Sequence, residues 1–221
     1  MGLAKKRHLS ILPPEELPGT KAYTVLRAAR KIFFMHGFSA ATTDMIQREA
    51  GVSKSTVYAY YANKEALFVA VVQAECWAFQ ETIRAIKFSP GKLRETLSAL
   101  AHTYLDIVLS EPGSYLYRII VAEGIRFPAL ASTFYMAGPH VIAAMVAEHL
   151  ASAVTSGEVD LGDVELDEAA NVFVNLVRSE PQLLYLTHPD AAPSSQQIDR
   201  WVKVVIDTFM RAYGCSCYRI S

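Results

Sequence analysis

Cysteine is scarce: three in 221 residues, two of them in Cys215-Ser216-Cys217 at the C-terminus. That excludes a disulfide-stapled scaffold and suits a reducing compartment. Eleven glycines and ten prolines exclude collagen-like and low-complexity chains. Long apolar runs are missing too. Hydrophobic residues make up 52% of the chain and mean hydropathy is +0.18. Yet the longest run, Ala66 to Val72, is too short to cross a bilayer, and Glu, Gln, Lys or Arg interrupts every other candidate. Lys5, Lys6, Arg7 and His8 are not followed by an apolar stretch and a small-residue cleavage site. No secretory signal or membrane partner is therefore expected, and the cytoplasm is the expected location.

The signatures of catalysis are absent as well. There is no Gly-x-Ser-x-Gly, no phosphate-cradling glycine loop and no His-Glu-x-x-His. His140 and His149 lie nine apart, the wrong spacing for one metal, and Cys215-x-Cys217 has no further cysteines nearby. Neither an enzyme, a metal site nor a cofactor is expected.

What is present is a charge asymmetry. The net charge is −1, but residues 1–64 carry ten Lys/Arg against four Asp/Glu, a net of +6. Residues 65–221 carry eleven against eighteen, a net of −7. A basic head on an acidic body suits a protein of which one end meets phosphate.

The chain is long enough for one or two domains with a sizeable core. Residues 1–19 read as a flexible basic arm, since Leu12-Pro13-Pro14 and Leu17-Pro18-Gly19 leave no room for a helix. It is read first as a solubilising tail, with Lys5, Lys6 and Arg7 reaching a minor groove as the alternative. From Thr20 the pattern is helical throughout. Val25, Ala28, Ala29, Ile32 and Phe33 repeat at helical spacing until His36-Gly37. Asn63 is placed to cap a helix over 64–86, and Ser89-Pro90 to open one through Leu109. Glu111-Pro112-Gly113 is a break before a helix from Ser114 to about Ile125. Pro128 starts a helix kinked at Pro139 and running to about Thr155, followed by a polar loop over 156–165. Asp167 opens a helix that Pro181 bends or breaks. Ser194-Ser195-Gln196-Gln197 has the form of a capping box for a last helix ending near Tyr213. The expected fold is all-α, with about nine helices.

Residues 42–64 carry the chemistry. Thr42 or Thr43 caps a short helix ending at Ala50, Gly51 permits a sharp turn, and Ser53 caps a second helix from Lys54 to about Tyr60. Ile46, Ala50, Val52 and Val57 would hold the pair together, with Tyr60 closing the cluster. This is a helix-turn-helix arrangement. Its open face carries Lys54, Ser55, Thr56, Tyr58 and Tyr61, hydroxyls and a cation suited to phosphate oxygens and base edges.

The same residues resemble a known family. Thr43 through Phe68, with Ala50-Gly51-Val52-Ser53, Val57-Tyr58-Ala59-Tyr60-Tyr61 and Asn63-Lys64-Glu65-Ala66-Leu67-Phe68, is similar to the DNA-binding signature of TetR-family transcriptional regulators. Phe34-Met35-His36-Gly37-Phe38 resembles the end of that family's first helix. The resemblance implies a three-helix DNA-binding head at 20–64 and a helical-bundle ligand-binding and dimerisation domain at 65–221. It further implies Lys54, Ser55, Thr56 and Tyr58 at base edges, with Thr42, Thr43, Tyr61 and Lys64 near phosphates. Two positions depart from the family pattern. Gln47 stands where a small Ala is usual, which requires its amide to turn outward, and Ser55 stands where Gly is frequent.

The body is less distinctive. Tyr117 to Glu123, Arg126 to Leu130 and Phe134-Tyr135 resemble the C-terminal domain of the AefR-like branch, whose members often control efflux or transport genes. An aromatic-rich body suits a cavity for an apolar, partly aromatic ligand, with Trp77, Tyr104, Phe134 and Met145 as first candidates. His102 and Asp106, one helical turn apart, either meet a polar ligand group or pair with each other. Arg118, Glu123 and Arg126 read as a structural ion-pair set. The family resemblance implies a homodimer through the last two helices, with apolar rows Ala170, Phe173, Val174, Val177 and Trp201, Val204, Val205, Phe209. A two-fold dimer implies a pseudo-palindromic operator in double-stranded DNA. The reading is a sequence-specific regulator, a repressor released by a small-molecule inducer. The helix from Lys64 to about Ile86 is its lever. The alternative is a ligand-binding or interaction module with weak DNA binding.

Overall fold

The computed structural model describes residues 19–188 and 193–215, so most of the expected N-terminal arm, and Cys217, lie outside the described residues. Those residues form helices and no strand; one isolated bridge joins Val159 to Gly214. The chain divides into two compact units, residues 1–74 and 75–221.

In the first unit, α1 (Lys21–Ala40) is capped by the Thr20 hydroxyl, which accepts from the Tyr23 amide. The helix is broken at Gly37, whose φ of 75° is available to glycine at little cost. Helices α2 (Thr43–Ala50) and α3 (Lys54–Tyr60) follow, with Gly51 between them in the left-handed region at φ 65°, ψ 32°. Phe33, Phe38 and Phe68 pack ring against ring, Phe68 lying 5.0 Å from each of the other two. Ile46 and Val57 are buried, whereas Tyr60 is half exposed and does not close the cluster. Helix α4 (Lys64–Arg84) begins in this unit, its first turn capped by Asn63 Oδ1, which accepts from the Ala66 amide at 2.7 Å.

The second unit holds the end of α4 and the remaining helices. Helix α5 (Leu93–Leu109) starts later than Ser89-Pro90 predicted. Its first turn is satisfied by a distant side chain: buried Glu158 accepts the amides of Gly91 and Leu93 at 2.8 and 2.9 Å. Helix α6 (Glu111–Glu123) includes the expected break, because proline fits a first helical turn and the Ser110 hydroxyl accepts the Gly113 amide. A side chain on Gly113 would collide with the Ile107 carbonyl.

Helices α7 (Pro128–Ala137) and α8 (Pro139–Thr155) are the expected kinked helix, divided at Gly138. Residues 128–155 together are long and apolar enough to cross a membrane, but α8 buries Ile142, Val146 and Leu150 in the core of this unit. Helix α9 (Leu166–Thr187) runs unbroken past Pro181, and α10 (Ser195–Tyr213) opens on the predicted capping box between Ser194 and Gln197. Phe173 and Phe209 meet edge to face at 5.4 Å in the core.

The apolar rows expected at a dimer interface belong largely to this core. Ala170, Phe173, Val174, Val177, Val205 and Phe209 are buried within the chain, and Trp201 donates its indole N–H to the Val177 carbonyl at 2.9 Å. Only Val204 of those rows is exposed; Val172, Leu183 and Leu184 are the other exposed large apolar residues well inside these two helices.

Candidate DNA-binding surface and ligand cavity

The turn between α2 and α3 is built from local hydrogen bonds. Thr42 Oγ1 accepts the Met45 amide at 3.2 Å, Ser53 Oγ accepts the Thr56 amide at 3.1 Å, and the Gly51 amide closes onto Arg48 and Gln47 carbonyls. Ser55 and Thr56 hydroxyls each lie 2.8 Å from Ser53 Oγ, so three hydroxyls cluster at the N-terminus of α3. Lys54 forms a 3.0 Å ion pair with Asp44, and that hydrogen bond raises its pKa. Tyr58 is 45% exposed, with its hydroxyl 3.5 Å from Thr43 Oγ1. The expected base-facing set, Lys54, Ser55, Thr56 and Tyr58, is thus gathered around one short helix, with Thr42 and Thr43 at the start of α2 beside it.

Two expected phosphate contacts point the other way. Tyr61 is half-buried, donates to the Ala22 carbonyl at 3.4 Å, and has its pKa raised by burial. Lys64 Nζ donates to the carbonyls of Phe38 and Ala41 at 2.9 and 3.1 Å and sits 4.5 Å from the centre of the Phe38 ring. It satisfies the end of α1, where unpaired carbonyls favour a cation. Gln47 does not turn its amide outward: its Oε1 is buried without a hydrogen-bond partner.

In the second unit, a cavity of about 470 Å³, measured out to its solvent-open mouth, lies among α4–α9. Phe79, Tyr117 and Phe134 line it, Tyr117 and Phe134 meeting edge to face at 6.3 Å. Tyr104 reaches it from α5, its phenol pKa raised chiefly by burial. Cys76 also lines it, its thiol pushed up to about 12 by burial and then by the Glu75 charge.

Of the expected ligand residues the structure brings Tyr104 and Phe134 to the cavity. Trp77, His102 and Met145 are not among its lining. Met145 packs into the core, and His102 is held between the Ser98 carbonyl and Asp199, each at 2.9 Å, rather than by Asp106. Arg118 donates to the Tyr185 and Leu186 carbonyls at the end of α9, and Arg126 stacks on Phe127. Beside apolar residues such as Leu116 and Ile142, the cavity residues that sequence reasoning missed include Cys76, Arg178 and Gln182. The last two stand one turn apart on α9, and their i, i+4 spacing was the available signal. Among the described residues no group of three His, Cys, Asp or Glu could hold a metal.

Known proteins are similar to this chain in sequence and fold. Residues 25–71 match the bacterial regulatory proteins of the tetR family, and residues 95–215 match the C-terminal domain of AefR-like transcriptional repressors. The HTH-type transcriptional regulator SrpR of Pseudomonas putida is 26% identical over 84% of this chain and 81% of its own. The HTH-type transcriptional regulator UidR of Escherichia coli K12 is 31% identical over 61% of this chain and 67% of its own. Among solved structures, the flavonoid-responsive regulator FrrA is 35% identical with a TM-score of 0.77, covering 89% of this chain and 98% of that one.

Proposed function

Because the chain belongs to the TetR family of transcriptional regulators, with a helix-turn-helix for DNA, we propose that it is a repressor released from its operator by a small aromatic ligand. The observation that carries the DNA half is the capped α2–turn–α3 unit, whose exposed face gathers Lys54, Ser55, Thr56 and Tyr58. Those four are the proposed base-facing set, with Thr42 and Thr43 at flanking phosphates. Tyr61 and Lys64 act as struts that hold α1 against the pair. The AefR-like match supports repression. The protein works in the cytoplasm, where the chromosome lies.

The ligand half rests on the cavity, whose ring-lined walls suit a planar apolar molecule. FrrA's responsiveness to flavonoids supports an aromatic inducer here. The chain acts as a homodimer: exposed Val172, Leu183, Leu184 and Val204 on α9 and α10 supply its apolar contact. A two-fold dimer sets two recognition helices about 34–36 Å apart, one turn of DNA, on a pseudo-palindrome. Release is a population shift: the ligand binds better to a state whose heads no longer match that spacing, and only this differential affinity drives it. Helix α4, continuous from Lys64 to Arg84, is the lever. Genes for efflux or transport of the ligand are the proposed targets.

The test is a selection of genomic fragments by the purified protein at two salt concentrations. A short enriched pseudo-palindrome, bound more weakly at high salt, is the expected result. A folded dimer that enriches no sequence would overturn the operator-binding reading and favour a ligand-binding module.

A further inference from the structure

The cavity wall is apolar except where α9 faces α5. Gln182 is 8% exposed, and its amide makes no hydrogen bond among the described residues. Arg178, one turn earlier, gives Nε and Nη2 to the Asn175 amide oxygen at 3.2 and 3.0 Å. No carboxylate pairs with the guanidinium among the described residues; its acceptors are the Asn175 amide and, nearby, the Tyr104 phenol. The buried Tyr104 hydroxyl stands close enough to Arg178 to feel its charge. Three polar groups therefore meet an otherwise apolar cavity, with a cation among them and no carboxylate.

A guanidinium keeps its charge at any working pH and presents donors in a planar fork. Arg178 is half-buried, and a guanidinium beside apolar rings is less screened than one in open water, so an anion entering the cavity would meet it at a favourable site. The neighbouring walls are rings: Phe79, Tyr117 and Phe134. Resting on the ligand-released reading above, we infer that the cavity takes a planar aromatic ligand by an anionic oxygen group. Arg178 is its counter-ion, and the Tyr104 hydroxyl and Gln182 amide complete its hydrogen bonds. A carboxylate and an ionised acidic phenol share this chemistry.

Calorimetry on the full-length protein tests it with matched probes: 2-naphthoate against 2-naphthamide, and 7-hydroxyflavone, at a pH where its phenol is ionised, against 7-methoxyflavone. The expected result is about tenfold or greater preference for the anionic member of at least one pair, which also tells carboxylate from phenolate. R178Q, with its fold checked by thermal melting, erases that preference; R178K retains part of it, and Y104F weakens the anion by a few-fold. Equal affinity for both members of each pair, a preference unchanged in R178Q, or no binding by any of the four overturns the inference. Operator release, read separately on the wild-type complex, keeps the two proposals apart. Anion-selective binding without release supports the charge reading and overturns the release reading. Release by neutral and anionic members alike does the reverse.

Discussion

Lys54, the first residue of α3, is held 3.0 Å from the carboxylate of Asp44 on α2. The cation at the head of α3 is thus offset until something displaces Asp44. A phosphate or a guanine edge would have to compete for it. Asp44→Asn leaves the shape and removes the competitor. The expected outcome is several-fold tighter binding to DNA of any sequence, so that the ratio of specific to non-specific affinity falls. Fluorescence anisotropy with operator and random duplexes checks it; unchanged affinity for both would mean that Lys54 does not meet DNA.

Tyr58 stands out from α3 with its ring 45% exposed. Its removal leaves the buried Val57 and the ring cluster of the head untouched. Tyr58→Ala should cost about 1–3 kcal/mol of operator affinity, with the melting temperature and the oligomeric mass unchanged. Equal operator affinity in the variant would move the reading face elsewhere on α3.

Glu158 is a buried carboxylate that accepts the Gly91 and Leu93 amides and the Ser156 hydroxyl, at 2.8, 2.9 and 2.8 Å. It ties the loop after α8 to the start of α5. Glu158→Ala strands three buried or half-buried donors and should destabilise the second unit by about 3 kcal/mol or more. Glu158→Gln, which keeps one acceptor, should fall between. Urea unfolding of the three proteins decides; a loss under about 0.5 kcal/mol in the alanine variant would mean that water replaces the carboxylate.

Asp207 accepts Lys203 Nζ at 2.7 Å and Arg94 Nη1 at 2.6 Å, and these bonds, that of Lys203 first, hold its carboxyl below the usual carboxylate value. A pKa depressed by folding stabilises the protein above the ordinary carboxylate value, and the contribution is lost as pH falls through the folded value. Asp207→Asn should therefore be less stable than wild type near neutrality, with the gap narrowing on acidification. A gap independent of pH would show that the charge of Asp207 contributes nothing.

Cys76 lines the cavity with its thiol pushed up to about 12. In a Cys215→Ser/Cys217→Ser variant the remaining thiol should react with iodoacetamide far more slowly than free cysteine at mildly alkaline pH, because little thiolate is present. Rapid labelling of the folded protein would contradict the enclosed, apolar setting of this residue.

The caps and the turn of the head were legible in the sequence, whereas the directions of Gln47, Tyr60, Tyr61 and Lys64 were not. Thr42, Gly51, Ser53 and Asn63 do what their chemistry predicts, because caps and turns are settled by bonds spanning three or four residues. Proline misled in both directions. Pro112 lies inside the first turn of α6 instead of breaking the chain, and Pro181 sits within an unbroken α9. Lys64 was placed by its spacing but not by its direction, which the carbonyls at the end of α1 decide.

The sequence by itself determined the all-α class, the capped pair α2–α3 and the aromatic wealth of the body, since each follows from local periodicity, capping and composition. Only the tertiary structure decided which apolar rows of α9 and α10 turn inward. It alone joined Glu158 to Leu93 across 65 residues and brought Arg178 and Gln182 beside Tyr104. An amphipathic helix records that one face is apolar, not what that face meets, and a polar residue on it reads as surface until a distant helix closes over it. Those choices belong to packing, in which the partners of a side chain are set by every helix at once.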